Sequence, residues 1–464
     1  MLFSAFSFLF WFLPFTLLLY FLPQLTGWGH APRALVWHNT VLLVCSLLFY
    51  AWGEPLYVFL MIGTVLANAL FALLIARGAH KRAWLIAAVA FDVGLLVFFK
   101  YLPLFGLPAP RLPLGISFYT FQALSYVADV YMGRAKAEKN PALVGLYVAL
   151  FPQLIAGPIV RYTDVARELR ARTHSVQGAA AGAGRFAVGL AKKVLLANPA
   201  GALFAQFGAG GTDTAVGAWL ALLGFTFQIY FDFSGYTDMA VGLGRVFGFR
   251  FPENFRYPYI AQSVTDFWRR WHITLSSFFR EYVYIPLGGN RRGNVRTVCN
   301  LLVVWALTGL WHGAALNFLF WGLYYFLLLT LEKHVLKKLP WRAPAPVRWG
   351  ATFAATLLGW ALFAFDGSTA ALTLSHLPRF LLTLSGLGTG GLAQGADLYD
   401  LVRSLSLLAL CAIGATPLPR RLFRRLTVRK NGAFLRTALP VACFLFSIAA
   451  LSDAGFNPFL YFRF

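Results

Sequence analysis

Residues 301–329 read LLVVWALTGLWHGAALNFLFWGLYYFLLL, twenty-nine positions without one Asp, Glu, Lys or Arg. A transmembrane helix needs about 20 mostly apolar residues. The run from Leu301 to Leu331 therefore belongs in hydrocarbon, and at its middle stands His312. An ionisable ring at that depth is costly, so such residues are typically paired, turned to a cavity and functional. Gly309 and Gly313 flank it and leave room for a neighbouring helix or a ligand. The plainer alternative is a buried histidine bonded to a carbonyl of a kinked helix.

The rest of the chain agrees with this stretch. Of 464 residues, 59% are hydrophobic and 12% charged, where a soluble domain carries roughly 25% charged residues. That is too little polar side chain to cover a soluble globule, and it excludes a soluble enzyme, a disulfide scaffold and a disordered tail. The fold class is an all-α polytopic membrane protein. Candidate spans cover 3–22, 35–51, 56–75, 84–99, 116–131, 142–159, 186–207, 216–231, 298–310, 314–331, 351–365, 371–387, 401–416 and 434–451. Several are short or polar, so about 10–12 transmembrane helices are expected, with the remainder re-entrant or interfacial. The first apolar run lacks a basic flank and a small-residue cleavage site, and reads as a retained span.

The net charge of +23 sits mainly in short connections, the pattern of cytoplasmic loops. Arg77/Lys81/Arg82, Arg134/Lys136, Arg161 to Arg172, Lys192/Lys193, Lys333 to Arg348 and Arg420 to Lys430 are all expected there. The terminal FNPFLYFRF then falls on the outer side. Anionic membrane lipids are the partners this charge implies, and no nucleic acid is needed. Cys45, Cys299, Cys411 and Cys443 form no CxxC pair and read as small buried hydrophobes. The Gly- and Ala-rich 178–189 stretch suits close helix packing or a loop. No fixed-period repeat is visible, which weighs against a secondary transporter.

Between Asp232 and Arg296 no apolar 20-mer occurs. Irregular polar backbone among spans is tolerated only where it is protein-buried, lines a cavity or lies at the interface. Residues 265–293, TDFWRRWHITLSSFFREYVYIPLGGNRRG, place Trp268, Trp271, Leu275, Phe278 and Tyr282 on one side of a helix. Arg269, Arg270, Ser276, Ser277 and Arg280 lie largely on the other, with Asp266 as a cap and His272 within the helix. The pattern describes an interfacial helix anchored by Trp and snorkelling Arg, or the wall of a polar cavity. Of eight histidines only His272 and His312 combine an apolar or aromatic setting with a break in the spans. No HExxH or other metal spacing is present, so no metal is expected. Asp92, inside an apolar run, is expected to pair with a Lys or Arg of another helix. Asp129 is a further intramembrane carboxylate, and Asp232 and Asp238 line a polar tunnel, orient a histidine, or form a structural network.

The block PENFRYPYIAQSVTDFWRRWHITLSSFFREYVYIPLGGNRRG (252–293), followed by LTGLWHG (307–313), resembles the membrane-bound O-acyltransferase family, MBOAT. Weaker matches are FPQLIAGPIVRY (151–162) and NPFLYFRF (457–464). The bacterial branch it resembles most is that of alginate O-acetylation; related branches acetylate peptidoglycan or cellulose, or transfer D-alanine to teichoic acid. The resemblance implies a helical ring around a central funnel or tunnel, and a single domain over 1–464 with its motif core at 225–321. It implies His312 as catalytic residue and His272 as a second family-typical position. It also implies acetyl-CoA as cytoplasmic donor, the bacterial inner membrane as location, and periplasmic acetyltransferase or SGNR-hydrolase-like partner proteins. No serine or cysteine nucleophile stands out. For acyl transfer, His312 supplies the base, while His272 serves the oxyanion or orients the acceptor. Arg269, Arg270, Arg280, Asp232, Asp238, Trp271 and Trp311 are candidates for holding donor or substrate, lipid headgroups being an equal claimant on the arginines. The rival class is a proton-coupled transporter, with His312 and the aspartates as a relay.

Overall fold

The computed structural model describes residues 2–29, 31–108, 110–208, 213–336, 343–369, 372–428, 432–453 and 460. Among them there is no strand; every regular element is a helix. Among the described residues nine helices are long and apolar enough to cross a membrane: α1 Phe8–Leu25, α2 Pro32–Gly53, α3 Tyr57–Ala76, α4 Lys81–Phe105, α8 Val176–Gly208, α9 Ala215–Val246, α12 Gly293–His312, α14 Ala345–Ala364 and α17 Gly432–Asp453. The count is ten if α15 Gly395–Gly414 and α16 Leu418–Thr427, bent by 70°, form one broken span. Between these lie α5 Ile116–Tyr131, α6 Pro141–Ala149, α7 Tyr162–Arg170, α10 Val264–Trp268, α11 Ile273–Phe279 and α13 Leu316–His334. Large apolar side chains such as Phe59, 71% exposed, cover the outer faces. Faces of that kind are stable only against hydrocarbon. The protein is a multi-pass membrane protein.

Several expected spans take another form. The 142–159 segment breaks at Leu150 into α6 and the short helix Phe151–Leu154. Pro152 has no N–H to give the preceding turn, and 144–160 is buried throughout, so no single helix of spanning length forms there. The 371–387 segment holds only the turn Leu374–His376 and the eight-residue Leu377–Leu384. By contrast α9 does not stop at Phe231. It continues through Asp232, Ser234, Thr237 and Asp238 to Val246, because its carboxylates are neutralised within the protein.

The described chain divides into two compact units, Met1–Leu190 with Tyr236–Glu253, and Ala191–Gly235 with Asn254–Phe464. In the first, Phe151 lies edge-on to Phe3, Phe8 and Phe12. A Cβ on Gly182 would stand 2.5 Å from the carbonyl oxygen of Gly242, so the glycine-rich stretch serves close helix packing. Asp92 accepts from Asn68 Nδ2 at 3.0 Å; an amide takes the place of the expected cation. Asp129 lies 4.0 Å from Arg134.

In the second unit α12 and α13 form a tight hairpin. A Cβ on Gly309 would meet the Phe318 carbonyl oxygen at 2.4 Å, and one on Gly322 the Trp305 carbonyl oxygen at 2.3 Å. Trp268, Trp271, Trp305, Trp321, Tyr325 and Trp360 fill its core. Three expectations need correction here. Lys193 is not in a cytoplasmic loop but buried within α8. Cys299 is exposed on α12, although Cys45 and Cys411 are buried. The stretch expected as a basic loop at 420–430 is mostly the helix α16. Of the terminal nonapeptide only Leu460 is within the described residues, so its expected sidedness lies outside them.

Candidate active site

The expected continuous helix over 268–282 is broken where it matters. Ser263 caps α10, its Oγ accepting the Asp266 N–H at 3.0 Å. Asp266 is left to pair with Arg270 at 2.9 Å. The chain then turns, His272 adopts φ 43 and ψ 53, and α11 starts anew at Ile273. A π-helical turn, Arg280–Tyr284, follows α11. The left-handed region costs a residue with a Cβ about 1–2 kcal/mol, so the turn needs external support.

Asn254, fully buried, supplies that support. Its carbonyl oxygen accepts the Ile273 N–H at 3.0 Å. Its Oδ1 accepts the Thr274 N–H at 3.2 Å and the Thr274 hydroxyl at 2.9 Å, and lies 3.1 Å from His272 Nδ1. An oxygen that only accepts requires the proton on Nδ1, so the neutral ring carries its lone pair on Nε2. Among the described residues the buried Nε2 has no hydrogen-bond partner. Burial alone pulls the His272 pKa down from 6.5 to about 3, which keeps the ring neutral at physiological pH.

His312 ends α12, where Gly313 turns the chain back. A Cβ on Gly313 would strike the Phe318 ring at 2.4 Å, so the residue after the histidine has to be glycine. The His312 ring is buried among Trp311, Trp321 and Phe363, at centroid distances of 4.9, 5.0 and 5.2 Å. The His272 ring lies 4.7 Å from Phe233 and 5.9 Å from Trp311. Trp311 thus touches both histidines, forty residues apart in sequence, and gathers them into one aromatic-walled site within the second unit.

The remaining candidates are distributed differently. Trp271 packs against Trp360 at 4.6 Å and Phe255 at 5.1 Å, as core. Asp232 pairs with Lys193 Nζ at 2.8 Å, both side chains nearly inaccessible, and also accepts the Leu460 N–H at 2.8 Å. Asp238 pairs with Arg185 at 2.7 Å in the first unit, where Glu253 joins the same guanidinium. Arg269 and Arg270 do not join Arg280. Arg280 instead lines a cavity of about 530 Å³ with Arg291 and Arg292. Asn254 escaped sequence reasoning because a lone asparagine in a polar loop is unremarkable; the run of prolines and aromatics around it was the available signal. Among the described residues no group of three His, Cys, Asp or Glu is placed to hold a metal ion.

The sequence model of the membrane-bound O-acyltransferase family matches residues 139–352. A probable alginate O-acetylase, AlgI, of Pseudomonas putida is 37% identical over 509 aligned positions that cover 100% of both chains. The probable alginate O-acetylase AlgI of Pseudomonas aeruginosa is 42% identical over 383, covering 78% of this chain and 72% of its own. A peptidoglycan O-acetyltransferase of Helicobacter pylori is 37% identical over 410, covering 78% and 77%.

Proposed function

The chain belongs to the membrane-bound O-acyltransferase family, and we propose that it moves an acetyl group from cytoplasmic acetyl-CoA across the bacterial inner membrane for O-acetylation of an exopolysaccharide such as alginate. The observation that carries this reading is the pair His272 and His312, each packed edge-on with the Trp311 ring. The alginate-modifying relatives favour the polysaccharide, and the peptidoglycan relative supplies the second reading, in which cell-wall glycan is the acceptor.

The chemistry needs a base and a positioned acceptor. The acceptor hydroxyl oxygen attacks the thioester carbonyl carbon, forming the C–O bond as the C–S bond breaks. His312 takes the hydroxyl proton and returns it to the departing thiolate, releasing free CoA thiol. The carboxyl end of α12 favours the transient positive charge on that ring. His272 has its only ring N–H engaged by Asn254, so it has no donor for an oxyanion. Its Nε2 lone pair can accept a second hydroxyl of the acceptor and so orient it, because the reacting hydroxyl has a single proton and that goes to His312. A periplasmic acetyltransferase or SGNR-hydrolase-like protein takes the acetyl group onward.

The test uses inverted inner-membrane vesicles with acetyl-labelled acetyl-CoA outside and the partner trapped inside. Wild-type protein is expected to deliver label to the lumen, and His312→Ala to lower delivery at least a thousandfold at unchanged protein level. Delivery by His312→Ala within a few-fold of wild type would remove His312 from the mechanism. Proton-driven uptake without acetyl transfer would restore the transporter class.

A further inference from the structure

Helices α2, α3 and α6, all in the first unit, leave a groove of about 200 Å³ lined by Leu43, Met61, Val65, Pro141, Gly145 and Ala149 among others. Every residue lining it is apolar. Gly145 is the informative one. A Cβ there would stand 3.6 Å from Leu43 Cδ1 and from Val65 Cγ1, ordinary van der Waals contact. Neither a clash nor a left-handed backbone calls for glycine at 145, in contrast to Gly182 and Gly309, and glycine inside a helix costs stability. Its missing side chain keeps the groove open.

The groove starts at a charged connection and ends inside the bilayer. Pro141 and Ala142 at its mouth are exposed, whereas Met61 and Ala149 are buried. The Phe151 N–H donates to Ser46 Oγ, inside α2, at 3.0 Å, so α6 points from the connection towards mid-span. From Pro141 to Ala149 the helix advances about 12 Å, close to one leaflet's share of a hydrocarbon core about 30 Å thick. Leu66 at the lip is 51% exposed, and Val44 and Leu48 beside it on α2 are exposed as well. The groove therefore opens sideways to hydrocarbon.

The connection before α6 carries charge that the protein does not balance. Glu138 is engaged by Arg170 and Tyr162, and Asp129 by Arg134. Lys136 and Lys139 are exposed, and among the described residues neither is paired with a carboxylate. Basic residues at the membrane surface attract anionic headgroups, and these two stand shortly before Pro141, at the mouth of the groove. We propose that the groove seats one acyl chain of an anionic phospholipid, with its phosphate on Lys136 and Lys139. The lipid fills space left between three helices and, by binding the folded form, stabilises the first unit.

The test is lipid binding to delipidated full-length protein, followed by native mass spectrometry with phosphatidylglycerol and with phosphatidylcholine of the same chains. Wild type is expected to hold phosphatidylglycerol at least tenfold more tightly than phosphatidylcholine. Gly145→Leu, which fills the groove, and Lys136→Gln/Lys139→Gln, which removes the charge, should each weaken phosphatidylglycerol binding at least tenfold. Ala142→Leu, at the exposed mouth, probes the same space if Gly145→Leu misfolds. Equal affinity of wild type for the two lipids overturns the site. So does a loss confined to the lysine variant, with Gly145→Leu and Ala142→Leu binding as wild type does, because the charge then acts without the groove. A wild-type dimer that Gly145→Leu or Ala142→Leu dissociates would give the groove to a second copy of the chain and overturn the lipid assignment.

Discussion

Asn254 fixes the His272 ring and the turn that carries it. It engages the histidine ring, the Thr274 amide and hydroxyl, and the Ile273 amide, so Asn254→Ala removes the acceptor side chain from three of these groups at once. Leaving buried donors unmatched costs about 1–3 kcal/mol each. Thermal unfolding is therefore expected to fall by several degrees and acetyl transfer by at least tenfold, while unchanged stability and rate would show the clamp to be dispensable. Asn254→Asp makes a sharper test, because a carboxylate beside Nδ1 raises the His272 pKa and should bring an acid limb into the rate profile. In the wild-type protein the pKa is about 3 against 6.5 for a free histidine. Between those values the unfolded chain holds the proton and the folded chain does not, so stability falls as pH drops from 6.5 towards 3. His174, drawn down to about 4 by burial and by Arg172, adds to the same slope. Denaturation in detergent across that window checks the sign; a flat or rising profile on acidification would contradict it. His312 and His272 were legible in the sequence because each is a lone ionisable ring in an apolar or aromatic setting. Asn254 was not, since an amide in a loop looks like ordinary polar surface.

At the scale of elements, periodicity found the apolar faces but not the breaks. Trp268, Trp271, Leu275 and Phe278 are buried, as their spacing requires, while Tyr282, the fifth residue expected on that face, is half-buried. The spacing is silent about the left-handed turn at His272, which exists because Asn254 holds it. In the same way α9 runs past its polar residues because Lys193 and Arg185 neutralise Asp232 and Asp238, partners far away in sequence. The α12–α13 hairpin depends on backbone contact at Gly309. Gly309→Ala would drive a methyl into the Phe318 carbonyl 2.4 Å away, so the two helices have to separate and carry His312 with them. Loss of transfer together with a lower unfolding temperature is expected, and a fully active, stable Gly309→Ala protein would show that the hairpin can slide. In α16, Leu418, Leu422 and Leu426 share one face and Arg420, Arg421, Arg424 and Arg425 the other, with all three leucines exposed. Such a helix lies in the headgroup plane. A tryptophan placed by Leu422→Trp is therefore expected to be quenched by lipids brominated high on the acyl chain, and an unquenched, water-exposed signal would refute it.

For the molecule as a whole, the side on which each basic connection sits constrains the number of crossings by parity. Arg77 precedes α4, Lys81 and Arg82 open it, and Arg134 and Lys136 follow α5; if both basic groups are cytoplasmic, the chain crosses twice between them. Helix α4 is one crossing, so α5 has to be the other. Its 16 residues reach about 24 Å, less than the roughly 30 Å hydrocarbon core, and its polar residues Thr120, Gln122 and Ser125 are buried, which is why a hydropathy criterion passes it over. The same parity makes α13 return from His312 to the basic connection after it, and makes α15 one crossing that ends before the arginines of α16. Adding α5, α13 and α15 to the nine long apolar helices brings the chain to about twelve crossings. The test is a protein freed of its native cysteines and carrying one new thiol at a time. Leu107→Cys, exposed between α4 and α5, should react with an impermeant maleimide in intact spheroplasts. Lys136→Cys and Arg421→Cys should react only after the membrane is opened. If Leu107→Cys and Lys136→Cys label from the same side, α5 does not cross and the parity argument fails at that helix.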